Sequence, residues 1–164
     1  MTQSPADPRH FDKHVVIDAP PSLVWDALTK PALLTQWMGE PAMAVEVKTD
    51  WTVGSPITVR GFHHAWFENR GTVLEYSAPR TLRYSQLDSL SRLPDEPENF
   101  SVLQFTLVAS EGGTSLTLSV SGFPTQTIFK HLDFYWRGTL GVLKNFVERG
   151  AALKREHDLA FDRP

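Results

Sequence analysis

The chain has 164 residues, of which 41% are hydrophobic and 21% charged, with a net charge of −3 and no cysteine. That length suits one domain with a sizeable core, and the balance is that of an ordinary soluble protein. The lack of cysteine excludes disulfides, thiolate nucleophiles and Cys-ligated metals and fits a cytoplasmic location; the mild negative charge, with no basic run, argues against nucleic acid as a partner. No stretch of 18 apolar residues is present, and the opening MTQSPADPRHFDKH has no apolar core of signal-peptide length, so neither membrane insertion nor export is expected.

Residues 1–9 are polar with two prolines and are expected to form a flexible N-terminal tail, followed by one domain over 10–150 and a C-terminal extension over 151–164. His14-Val15-Val16-Ile17 is a β-rich run ended by Asp18-Ala19-Pro20-Pro21. Ser22–Thr29 follows as a short helix with Val24, Trp25 and Leu28 on one face, and proline suits its first turn because the amides there have no intrahelical partner. Lys30-Pro31 breaks it, and a second short helix covers about Pro31–Trp37.

From Met43 the period changes to 2, with Met43, Val45 and Val47 alternating against Ala44, Glu46 and Lys48. Ile57 and Val59 continue the pattern, Phe62–Ala65 reads as a connection, and Trp66–Tyr76 as a longer strand with a bulge expected at Gly71. Thr81–Gln86 is a strand; 87–98 is a long loop with two prolines and an acidic end. Phe100–Val108 and Thr114–Val120 pair around the turn Ser110-Glu111-Gly112-Gly113.

Thr125–Arg149 is the longest periodic stretch. Phe129, Leu132, Trp136, Leu140, Leu143 and Val147 recur at steps of 3 and 4, which marks one buried helix face. Six such side chains on a sheet contribute on the order of 10 kcal/mol of gross burial. A curved sheet closed by that helix leaves a hollow between them, and such hollows hold small apolar ligands.

The chain resembles the helix-grip (START/Bet v 1-like, SRPBCC) superfamily and, within it, bacterial homologues of the C-terminal domain of the Hsp90 ATPase activator. The residues that carry the likeness span about 12 to 149. They include Ile17-Asp18-Ala19-Pro20, Val24–Thr29, Pro31, Leu34 and Trp37, then Gly71–Glu75, Pro79-Arg80 and Leu82. Phe105–Leu107, Gly113-Thr114, Leu116, Trp136, Leu140, Leu143 and Lys144 complete it. The resemblance implies an α+β helix-grip fold: a curved antiparallel sheet of six to seven strands, two short helices and a long C-terminal helix over the sheet. It implies a cavity and does not imply a reaction.

Trp37, Trp66, Phe105, Phe123, Phe129 and Trp136 fall where an inner face or cavity mouth is expected. With Met43, His63, Tyr84, Leu132 and Leu140 they are the candidate ligand-binding residues, and a packed core is the competing reading of the same set. His63 and His64, adjacent on a strand, point to opposite faces and do not chelate one ion, so no metal site is expected. Asp133 and Arg137 have the spacing of an intrahelical ion pair. G-x-S-x-G, phosphate-loop and dinucleotide patterns are missing, so neither a catalytic residue nor a cofactor is assigned. On the outer side of the long helix Phe134, Gly138, Gly141 and Asn145 form a row where glycine costs about 1 kcal/mol each against alanine. This row is a candidate partner contact, as in a homodimer.

Three functions compete: binding of a small hydrophobic or aromatic molecule, a cyclase- or hydrolase-like enzyme using a cavity His, Tyr or Arg, and a protein-interaction module of the chaperone-activator sort. The state of the interior discriminates them. An open apolar pocket favours the first, a constellation of acid and base the second, and a filled interior with an apolar outer patch the third.

Overall fold

The computed structural model describes residues 10–161. Its elements run β1 (His10–Ile17), α1 (Pro21–Thr29), α2 (Pro31–Trp37), β2 (Glu46–Lys48), β3 (Pro56–His63), β4 (Ala65–Ser77), β5 (Thr81–Gln86), β6 (Ser101–Ser110), β7 (Gly113–Ser121) and α3 (Gln126–Phe161). The strands form one antiparallel sheet in the order β1-β7-β6-β5-β4-β3-β2. Because β1 joins β7 at one edge, the first strand is spliced beside the last, and α1 and α2 bridge the chain to the far edge. This is the expected α+β helix-grip architecture.

Alternation sets the inner face. Leu103, Phe105 and Leu107 of β6 and Leu116, Leu118 and Val120 of β7 are buried, in register as Leu103↔Val120, Phe105↔Leu118 and Leu107↔Leu116. The α3 stripe lies against them: Ile128, Leu132, Trp136, Leu140, Leu143, Val147 and Ala151 are buried. Phe129, expected at the head of the row, is only half-buried and Ile128 takes the inward position. The helix also runs well past Arg149. Its 36 residues reach roughly 54 Å at ~1.5 Å each.

Polar ties hold α3 to β1. Lys13 Nζ donates to Asp133 Oδ1 at 2.7 Å, and Arg137 Nη2 donates to Asp133 Oδ2 at 2.6 Å. Farther along, Glu148 Oε2 accepts from the Asp18 backbone amide at 2.8 Å and from Lys144 Nζ at 2.5 Å. Both carboxyls are held below the usual carboxylate range. For Asp133 the largest cause is the Lys13 hydrogen bond, and for Glu148 it is the Asp18 amide.

Three expectations about the strands are corrected. Met43–Ala44 does not extend the β2 strand: Pro41–Met43 forms a turn of 3-10 helix and Ala44 takes a φ of 47°. Phe62–Ala65 is not a loose connection, since β3 and β4 stay paired to His63↔Ala65 and turn at His64 alone. Gly71 is not a bulge, because β3–β4 pairing runs straight through it, and the shift lies on the other side, between Val73 and Glu75 in the β4–β5 ladder. Glycine is needed there for a different reason: a Cβ at position 71 would collide with the Ser85 carbonyl.

Candidate functional site

Between the sheet, α1–α2 and α3 lies a small void of about 10 Å³. Trp37, Tyr84, Phe105 and Trp136, all named from sequence, surround it together with Met38 and Trp51. The rings are packed on one another: Phe105 to Trp136 is 5.7 Å between centroids, Trp37 to Trp136 6.2 Å, and Tyr84 to Phe105 6.5 Å. A void of that size admits about one water molecule, whereas pockets for drug-sized molecules run to several hundred Å³. The hollow between sheet and helix is therefore filled by the protein's own side chains.

Most polar atoms around the void are already engaged. Trp37 Nε1 donates to the Ala27 carbonyl at 2.8 Å and Trp51 Nε1 to the Thr29 carbonyl at 2.7 Å. The neighbouring Tyr135 hydroxyl donates to the Met38 carbonyl at 2.5 Å, tying α3 to the end of α2, and burial pushes its pKa up to about 12. Among the described residues, Tyr84 is the one titratable side chain on the void wall. Burial, then the proximity of Tyr135, pushes its hydroxyl well above its ordinary value. A tyrosine in that state is neutral throughout the physiological range and is a poor general base.

The other sequence candidates fall elsewhere. Leu132 and Leu140 are buried in the α3 row without lining the void. Phe123 and Phe129 form a separate aromatic cluster with Phe11, with centroids 4.9–6.1 Å apart. Met43 is half-buried and packs against the core. His63 is exposed at the turn, and its ring meets that of His64 edge-on with centroids 4.6 Å apart. Trp66 is 71% exposed. Strand alternation explains it: Val73, Gly71, Asn69 and Phe67 occupy the inner face of β4, so Trp66 and Glu68 are on the outer one. Among the described residues, no group of three or more His, Asp or Glu is arranged to hold a metal ion.

The β3–β4 hairpin carries a second feature. β2 covers β3 only over Thr58–Arg60, and β5 leaves β4 at the Arg70↔Leu87 bridge, so the hairpin tip projects past both neighbours. At the tip Phe62, 42% exposed, packs edge-on against Trp66 with centroids 5.4 Å apart. A groove of about 520 Å³ runs beside the tip, lined by Arg60, Trp66, Glu68, Ser89, Leu90 and Arg92 among others. Sequence reasoning missed Phe62, Leu90 and Arg92 as a group, because loop and strand meet only in the fold. On α3, Phe134 is 76% exposed, and Gly138 and Gly141 have open space around their α-carbons. No helix is long and apolar enough to cross a membrane among the described residues.

Fold and packing together define a helix-grip domain with a closed interior. The profile of the Activator of Hsp90 ATPase homolog 1-like proteins matches residues 18–148, and the chain belongs to that family. No curated protein matches it. Among solved structures it is similar to ChR145 from Cytophaga hutchinsonii, at 31% identity and a TM-score of 0.70 over 87% of this chain and 96% of that one. Protein CV1439 from Chromobacterium violaceum aligns at 23% identity and a TM-score of 0.75, over 86% and 98%. The Aha1 dimer from Colwellia psychrerythraea aligns at 20% identity and a TM-score of 0.67, over 85% and 96%.

Proposed function

We propose that the chain is a non-catalytic interaction module that binds a protein partner through its surface, with the β3–β4 hairpin as the contact. The observation that carries this reading is the contrast between a void of about 10 Å³ inside and the exposed Phe62–Trp66 pair outside. Exposed aromatics grouped on a soluble domain are the usual anchors of protein contacts. The family description, a homologue of an Hsp90 ATPase activator, supports a protein as the partner. The test is a photocrosslinking amino acid placed at Trp66 in the protein's own host, with Glu111 on the β6–β7 turn as control. The reading predicts discrete protein adducts from position 66 and none from 111. Identical adducts from both positions contradict it.

A second copy of the chain belongs to the same reading. Phe134, Gly138, Gly141 and Asn145 are all exposed on α3, and the Aha1 of Colwellia psychrerythraea is a dimer. Phe134→Asp is expected to lower the mass measured by light scattering. A monomeric mass unchanged by the substitution removes that contact.

Binding of a small apolar or aromatic molecule in the interior is the second reading, and Tyr84 is the observation that favours it. Its hydroxyl has no hydrogen-bond partner among the described residues although the side chain is buried. A polar atom on a ligand would satisfy it. Such a ligand must displace side chains, Trp51 or Met38 first, because the void does not hold it as it stands.

A further inference from the structure

We infer that the groove beside the hairpin takes an extended peptide segment, added as a short strand to the open edge of β4 and carrying an acidic side chain. The inference rests on the interaction reading above and specifies its site and the chemistry of its partner.

The backbone supplies the first argument. Arg70 exchanges both backbone hydrogen bonds with Leu87, Arg70 N to Leu87 O at 3.4 Å and Leu87 N to Arg70 O at 2.8 Å. The amide and carbonyl of Arg70 therefore point away from β3. Antiparallel pairing alternates these directions, so Glu68 and Trp66 point the same way. The Glu68 amide finds a side chain, donating to Ser89 Oγ at 3.0 Å. Beyond Leu87 strand pairing ends in a 3-10 turn over Ser89–Ser91, whose Ser89 is held to β4 by Glu68 and Asn69, and the Trp66 amide and carbonyl, one step further along β4, have no partner among the described residues. An unpaired edge of this kind is a template for another strand. No lysine or proline lies on β4 to blunt it.

Side chains supply the second argument. Trp66 and Leu90, 71% and 51% exposed, offer an apolar anchor on the groove walls. Arg60 and Arg92 stand against the single Glu68 in the lining. Arg60 Nε is 3.4 Å from Glu46, whereas Arg92 has no ion pair with the described residues. A carboxylate on the incoming strand, reached by the Arg92 guanidinium, completes the charge balance and is held in the planar geometry that arginine favours. Main-chain hydrogen bonds then give attachment and the alternate side chains give selectivity, as in other strand-addition sites.

The test is selection of a random seven-residue phage-displayed peptide library on the full chain, followed by titration of the enriched peptides. Expected are sequences that alternate apolar residues with Asp or Glu. They lose binding by about tenfold or more on Arg92→Glu, the size of a lost charge-assisted hydrogen bond. N-methylation at one set of alternate peptide amides abolishes binding, and methylation of the intervening set leaves it intact. The backbone amide resonance of Trp66 moves on titration, and thermal midpoints of wild type and Arg92→Glu agree. Peptides that bind wild type and Arg92→Glu alike, or tolerate methylation at every amide, overturn the inference while leaving the hairpin as a contact. If no enriched peptide depends on Trp66, the interaction reading falls with it.

Discussion

Trp136 and Trp66 are the same residue under opposite conditions. Trp136 sits mid-helix, 2% exposed, with Phe105, Trp37 and Tyr135 around it. Trp66 sits on a strand near a hairpin tip, 71% exposed, with Phe62 as its one ring neighbour among the described residues. The first closes the interior; the second lies where the sheet has run out of neighbouring strands. An indole in a packed core stabilises the fold. One left in water at a projecting edge contributes little to folding and is available to a partner. The body and the hairpin tip therefore divide the work between stability and recognition.

Substitutions sharpen that division, beginning with the largest effect. Trp136→Ala removes a buried aromatic and is expected to cost about 3–5 kcal/mol by denaturant unfolding. A loss below about 1 kcal/mol would mean that Trp136 borders loose space and that the interior is less filled than its geometry indicates. Gly71→Ala drives a Cβ into the Ser85 carbonyl and is expected to cost about 1–3 kcal/mol through displacement of β5.

The Asp133 clasp gives a smaller, pH-dependent effect. Its folded-state pKa is depressed by Lys13 and then Arg137, so its contribution is present above the unfolded-state value and is lost as pH falls through the folded one. At neutral pH, Asp133→Asn should reduce stability by less than about 1 kcal/mol, since the pair is partly solvated. Once the pH has fallen below the folded-state value the variant and the wild type should converge. Unequal stabilities persisting in strong acid would show that the clasp acts through packing instead of charge. Last, Trp66→Ser should change stability by no more than about 0.5 kcal/mol while eliminating partner contact at the hairpin. A large loss of stability would place Trp66 with the core.

Much of the fold was legible because periodicity reports burial directly. The steps of 3 and 4 from Leu132 to Val147 and the alternation of Leu116, Leu118 and Val120 correspond to buried rows. β1 was read four residues short. His10, Asp12 and Lys13 mask its first half, and only pairing with β7 over Ser121–Thr114 reveals it. The interior wall was half legible. Trp37, Tyr84, Phe105 and Trp136 lie on regular elements, whereas Trp51 enters from a turn at a φ of 61° and no period announces it. Trp66 reads from sequence as an inner-face or cavity-mouth residue. Counting back by twos from buried Val73 puts it outward, so parity was the better guide. The groove with Arg92 and Leu90 was not legible, because it forms where β4 meets a segment some 20 positions away.

The central claim, that the interior is closed and recognition lies outside, is tested most directly by native mass spectrometry of the protein taken gently from its own host. The account predicts the mass of the chain alone or with a protein partner. One small apolar molecule retained per chain, and lost on Tyr84→Phe, would contradict it.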